Sequence, residues 1–347
     1  MASEAKMSLI SNIIRRLHSP LFLFIVLGFL LSATGRIQAQ PVDIRVHDPV
    51  MIKQGNTYYI FCTGPGITVY SSPDMKHWKR EHHVFDKAPD WTQKIVPGFR
   101  NFEWAPDISF HDGKYYLYYA VSAFGKNTSA IGLATNTTLD STDPNYHWKD
   151  LGYVIHSVPG RDLWNAIDPN LIVDESGTAW LDFGSFWHGI KLVKMAPDLT
   201  KIAQPQEWHT IASRARNWKV PDAKPGDAAI EAPFIFHKGD YYYLFVSFDY
   251  CCRGVNSNYK VMVGRSDKVT GPYVDKDGVK MRDGGGTLLL KGNKQWPGVG
   301  HEGVYTFDGT DYIIFHGYDA SDKGKSKLWI ERLHWTKDRW PEASLKE

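Results

Sequence analysis

Cysteine is scarce in this 347-residue chain, which carries only Cys62, Cys251 and Cys252. Three cannot all pair within one chain, so a disulfide-built scaffold is excluded. The adjacent Cys251 and Cys252 leave two readings open, a vicinal disulfide or two small buried thiols. An excess of one charge is also lacking: 40 basic residues face 38 acidic ones. No basic tract is long enough to suggest nucleic acid or an anionic membrane as a partner. Sustained helical periodicity with caps is absent. The chain has one conspicuous apolar run, "LFLFIVLGFLLSA" from Leu21 to Ala33, which is short of the roughly 20 residues a membrane span needs. It follows Arg15 and Arg16 and leads to small residues near Ala33 and Ala39. That order reads as a secretory signal, with an uncleaved N-terminal anchor as the alternative. Residues 1–40 are set apart as a leader, leaving 41–347 as one domain. The protein is expected to be secreted (or else periplasmic or anchored), away from the membrane once the signal is cleaved, and monomeric.

Aromatics, by contrast, abound: 13 Trp, 18 Tyr and 17 Phe. Most fill β-sheet cores, and a few flat rings suit the C–H faces of a sugar. They fall in a repeat. "HDPVMIKQGNTYYIFCTG", "WAPDISFHDGKYYLYYAVS", "IDPNLIVDESGTAWLDFGS", "EAPFIFHKGDYYYLFVSFD" and "HEGVYTFDGTDYIIFHGYD" each read as strand, glycine turn and aromatic-rich strand. A looser second hairpin follows each copy, the last being "KLWIERLHWTKDRWP". Five units of four strands predict an all-β fold, a five-bladed β-propeller with four-stranded antiparallel blades. Which strand closes the ring is not specified by the pattern.

In a propeller the first strand of each blade lines the central channel, so the segments that open these strands converge. Aligned, they read His47-Asp48-Pro49, Trp104-Ala105-Pro106, Ile167-Asp168-Pro169, Glu231-Ala232-Pro233 and His301-Glu302-Gly303. Asp48, Asp168 and Glu231 are expected at one register. A single Asp-Pro is an ordinary turn opener, but three converging acids repel one another and are rarely kept without a use. The use that fits is glycoside hydrolysis, which needs a protonated carboxyl and an ionised carboxylate.

The ordered set "VHDPVMI", "NFEWAPDISFHDGKYYLYYAVSAFGKNTSAIG", "WNAIDPNLI", "GSFWHGI", "EAPFIF", "FDYCCRG" and "GHEGVY" resembles the α-L-arabinanases of glycoside hydrolase family 43, over roughly residues 42–340. The resemblance implies hydrolysis of α-1,5-linked arabinan, a plant cell-wall polysaccharide, with inversion, and endo action is the expected mode. It implies Asp48 as general base, Glu231 as general acid and Asp168 as the acid that tunes and orients the donor. Trp104, Phe124, Asn165 and Ser185 would contact sugar. It further implies a cation in the central channel, calcium by preference, with His301 as its protein ligand; the alternative is that His301 hydrogen-bonds substrate or a neighbouring acid. Nothing calls for an organic cofactor.

Other readings are weaker. A β-xylosidase or α-L-arabinofuranosidase of the same family is the nearest alternative. A non-catalytic lectin propeller would repeat its binding motif and would not need three acids. A WD-type interaction propeller would show its Trp-Asp signature. "HEGVY" is no zinc-protease motif, since Tyr305 stands where a second His would be required. "GGG" at 284–286 lacks a strand–helix context for nucleotide binding.

Overall fold

In a computed structural model of the protein, residues 40–345 are described. The leader expected at 1–40 therefore lies outside the described residues except for Gln40. Five four-stranded antiparallel sheets form the blades of a propeller, as the repeat predicts. Blade one comprises Val50–Gln54, Thr57–Cys62, Thr68–Ser72 and Lys79–Arg80; blade two Trp104–His111, Lys114–Val121, Ser129–Asn136 and Lys149–Ser157. Blade three comprises Asn170–Val173, Ala179–Phe183, Ile190–Lys194 and Trp208–Ala212; blade four Ile230–Lys238, Tyr241–Phe248, Lys260–Ser266 and Thr287–Lys291. Among the described residues, α-helix is confined to the single turn Thr92–Ile95. None of their helices is long and apolar enough to cross a membrane.

Blade five departs from the expectation. Its inner strands are Val299–Phe307, Thr310–Asp319 and Lys325–Arg332, but the outermost is Gln40–Arg45 from the other end of the described chain. "KLWIERLHWTKDRWP" thus supplies one blade strand rather than two. His334–Trp335 turns away to pair with Pro341–Glu342. The first and last parts of the propeller are thereby hydrogen-bonded together and the ring is closed.

The core lies between blades. Neighbouring residues on a strand face opposite sides of the sheet, and here both sides are covered. Ile60 packs towards blade five and Phe61 towards blade two. Tyr119 faces blade one and Tyr118 blade three, and Trp180 faces blade four and Leu181 blade two. Burial on both faces explains why the second strands read as continuous apolar and aromatic runs rather than alternating ones.

A polar bracket crosses three blades near the axis. Buried Asn170 donates from Nδ2 to Asp107 Oδ1 of blade two at 3.3 Å. Its Oδ1 accepts the Ile235 N–H of blade four at 2.9 Å. Asp107 also accepts the Leu171 N–H at 2.8 Å, and burial raises its carboxyl to about 6. Asn170→Ala would leave a buried N–H and a carboxylate oxygen without these partners. The expected cost is about 3 kcal/mol, read as a lower midpoint in urea unfolding with an unchanged slope.

Candidate active site

The segments that open the inner strands share one backbone feature. Asp48, Ala105, Asp168, Ala232 and His301 all have left-handed φ, at 53°, 41°, 57°, 53° and 54°. In blades two, four and five this residue and the next form a bulge between Trp104 and Asp107, Glu231 and Phe234, and Gly300 and Gly303. The structural register is therefore Asp48, Ala105, Asp168, Ala232, His301. This corrects the sequence alignment: Glu231 stands one residue earlier, level with Trp104 and Gly300, and His301 shares the position of the two aspartates.

Four of the five left-handed residues hand their N–H to the preceding blade. Asp48 donates to His316 Nδ1 at 3.2 Å and Ala105 to Thr63 Oγ1 at 2.8 Å. Ala232 donates to Asp168 Oδ2 at 3.0 Å and His301 to Ser247 Oγ at 2.9 Å. These bonds hold the strained residues in place, and three of them, Asp48, Asp168 and His301, line a cavity of about 990 Å³. All eight residues expected at the site line it, namely Asp48, Trp104, Phe124, Asn165, Asp168, Ser185, Glu231 and His301.

The three acids differ in surroundings. Asp48 receives the His47 and His301 Nδ1 atoms on Oδ1, at 2.7 and 3.0 Å. The Thr63 hydroxyl donates to Oδ2 at 2.5 Å. Burial alone would raise Asp48, but the two imidazoles outweigh it and hold the carboxyl well below its ordinary range. Asp168, by contrast, accepts from a backbone group, the Ala232 N–H, and from no other donor among the described residues. Burial pushes it up to about 8; His301 opposes the rise, while the charges of Glu231 and Asp48 add to it. Glu231 is raised by burial against the Ser185 hydroxyl, which donates to Oε2 at 2.7 Å. For His301, burial acts downward, but the acids around it, Asp48 foremost, carry it up to about 9. One cavity thus holds a carboxyl pulled towards its ionised form and two pushed towards their protonated forms, the pairing that acid–base chemistry needs.

The sugar-contact candidates fall around them. Phe124 is 81% exposed on the rim and Trp104 is half-buried. Asn165 is buried, and its Oδ1 has no hydrogen-bond partner among the described residues. Cys251 and Cys252 are joined as a vicinal disulfide in the cavity wall, which decides between the two readings of that pair.

Sequence reasoning missed Thr63, His47, His316 and Tyr318. For His316 and Tyr318 the signal was there: the second strand of the fifth repeat ends in "FHGYD", with a histidine where the first four have "TG", "AVS", "FGS" and "VSFD". His47, Asp48 and His316 offer ligand atoms within 4.8 Å of one another. Both nitrogens of His316 are already engaged, Nδ1 by the Asp48 N–H and Nε2 by the Tyr318 hydroxyl, which argues against a metal there.

Residues 39–341 match the family described as glycosyl hydrolases family 43. An extracellular exo-α-(1→5)-L-arabinofuranosidase of Cellvibrio japonicus is 54% identical over 92% of this chain and 91% of its own. An extracellular endo-α-(1→5)-L-arabinanase of Bacillus subtilis is 44% identical over 85% of this chain and 87% of its own. The solved structure of a Cellvibrio cellulosa α-L-arabinanase complexed with arabinohexaose superposes with a TM-score of 0.85 at 54% identity. It covers 86% of this chain and 95% of that one.

Proposed function

The chain belongs to glycosyl hydrolase family 43, and we propose that it hydrolyses the α-1,5 linkages of arabinan with inversion, outside the cell. The observation that carries this reading is the split within one cavity: the Asp48 carboxyl is held well below its ordinary range by two imidazoles, while burial raises that of Glu231. Asp48 acts as base, drawing a proton from water as its oxygen attacks the anomeric carbon. Glu231 gives its proton to the departing glycosidic oxygen. Asp168 orients the donor, since it grips the N–H of Ala232, the residue next to Glu231. Trp104 and Phe124 offer faces to the sugar rings, and Asn165 and Ser185 offer polar atoms to its hydroxyls.

On chain-end against internal cleavage, the identities favour exo action: the relative named exo is 54% identical and the one named endo 44%. Endo action, expected from the sequence, is the second reading, favoured by the endo name of that 44% relative. Glu231→Ala and Asp48→Ala should each lower kcat by about a hundredfold or more, with Asp168→Ala also severely impaired. Circular dichroism checks the fold, and near-normal turnover in folded Glu231→Ala would sink the assignment. Digestion of debranched arabinan, followed by NMR and by sizing of products, should give the β-anomer first and one short product from the outset. A ladder of long intermediates would mean endo action. Hydrolysis of xylan in place of arabinan would overturn the substrate.

Calcium is part of the proposal. Its charge suits the place where Asp48 already draws positive charge onto His301. His301 would give one nitrogen after losing its proton, and water would have to complete the six to eight ligands calcium prefers. Bound there, the ion would favour the ionised form of Asp48. The metal-free reading has its own support, since His301 Nδ1 lies 3.0 Å from Asp48 Oδ1. Treatment with EDTA should lower activity and melting temperature, with calcium restoring both. Full activity and stability in stripped protein, alongside an inactive His301→Ala, would assign His301 a metal-free role.

A further inference from the structure

The hydroxyl of Tyr318 joins parts of the site that are far apart in sequence. It lies 2.8 Å from the Cys252 backbone N, 2.8 Å from His47 Nε2 and 3.2 Å from His316 Nε2. The direction of each bond follows from what each atom can do. The Cys252 N–H can only donate. On the other side of His316, the Asp48 N–H also can only donate, so Nδ1 of His316 is bare. A buried neutral His316 then carries its proton on Nε2 and donates it to Tyr318. Two donors occupy the lone pairs of the phenol oxygen. Of the acceptors left for its own proton, the Cys252 sulfur is distant at 4.0 Å and His47 Nε2 is close at 2.8 Å, so the proton goes to His47. That leaves the His47 proton on Nδ1, which faces Asp48 Oδ1 at 2.7 Å. The circuit runs from the Asp48 N–H through His316, Tyr318 and His47 back to the Asp48 carboxylate.

The circuit is anchored at Cys252. This residue has φ of 64°, a left-handed conformation that a side-chain-bearing residue holds only under constraint. The disulfide to Cys251 closes a short ring around this residue, whose N–H donates to Tyr318 at 2.8 Å. Without that N–H, the phenol regains a free lone pair and can turn its proton away from His47. The other His47 tautomer would then set a nitrogen lone pair against the Asp48 carboxylate.

We propose that the Cys251–Cys252 disulfide is a positioning element for catalysis: through Tyr318 it fixes the tautomer of His47 and keeps an N–H facing the carboxylate of Asp48. This rests on Asp48 being the base. Tyr318 and His47 are positioning residues too, since they act through Asp48.

The test compares C251A/C252A, Tyr318→Phe and the triple variant on debranched arabinan. Each of the first two should lower kcat about tenfold, the scale of one hydrogen bond to a charged group, with KM within about twofold. The triple variant should be no worse than Tyr318→Phe, because both changes act through one hydroxyl. Losses that multiply, or a lower melting temperature with kcat intact, would reduce the disulfide to a structural brace and overturn the proposal. Should C251A/C252A fail to fold, a phosphine reductant applied to the native enzyme, with thiol release confirmed, replaces it. Reduction should then lower kcat reversibly in the native enzyme and leave Tyr318→Phe unaffected. Nitrogen NMR of the His47 ring should give the Nδ1–H tautomer before reduction and a mixture after it; an unchanged spectrum would also overturn the proposal. Asp48→Ala separates the two levels. If it stays active, the base assignment itself falls. If it is inactive while the reduced enzyme keeps full kcat, only the role of the disulfide falls.

Discussion

The site depends on a left-handed residue at the head of every inner strand. Such a conformation costs on the order of 1–3 kcal/mol for a residue with a side chain, and here it recurs at Asp48, Ala105, Asp168, Ala232 and His301. It persists because the backbone N–H it turns outward meets an acceptor on the neighbouring blade in four of the five cases. One local strain thus fastens blade to blade and gathers side chains from different blades around one cavity. Framework and active site are built by the same bonds, so stability and catalysis cannot be tuned separately at these positions.

Identical backbone positions need not mean identical chemistry. Asp48 and Asp168 sit at the same place in their blades, yet one is held ionised and the other protonated. Both are buried, so burial does not separate them. The difference lies in donors: Asp48 collects two imidazoles and a hydroxyl, Asp168 one backbone N–H among the described residues. His301, at the same position in blade five, carries the positive charge that favours the ionised form of Asp48. A repeated scaffold has in this way produced two carboxyls of opposite tendency side by side.

The fold was largely legible because its signals are local and repeated five times: glycine turns, aromatic second strands and a steady spacing. Asp112-Gly113 and Asp308-Gly309, both pairs left-handed, close two-residue hairpins just where the sequence placed turns. Ring closure was not legible, because Gln40–Arg45 is a short strand whose partner, Lys325–Arg332, lies near the other end of the chain. The three acids were found because Asp-Pro and Glu-Ala-Pro look alike in sequence, although that likeness hid a shift of one residue. Thr63, His316 and Tyr318 escaped because what they do is set by the blade beside them, and adjacency across blades leaves no periodic trace.

Those missed residues explain why the ring is chemically asymmetric. Opposite the strand-opening segment, the second strand carries Thr63 in blade one, Ala120 in blade two, Gly184 in blade three, Ser247 in blade four and His316 in blade five. Thr63, Ser247 and His316 each accept the N–H of the next blade's left-handed residue. Gly184 has no side chain to offer. The N–H of Ala232 therefore takes an oxygen of Asp168 instead, which ties that carboxyl to the backbone beside Glu231. Thr63, by contrast, can accept from Ala105 and still donate to Asp48. The state of each acid is thus written in two columns of the repeat: one supplies the carboxyl, and the other decides whether it meets a donor or must itself serve as an acceptor for the frame.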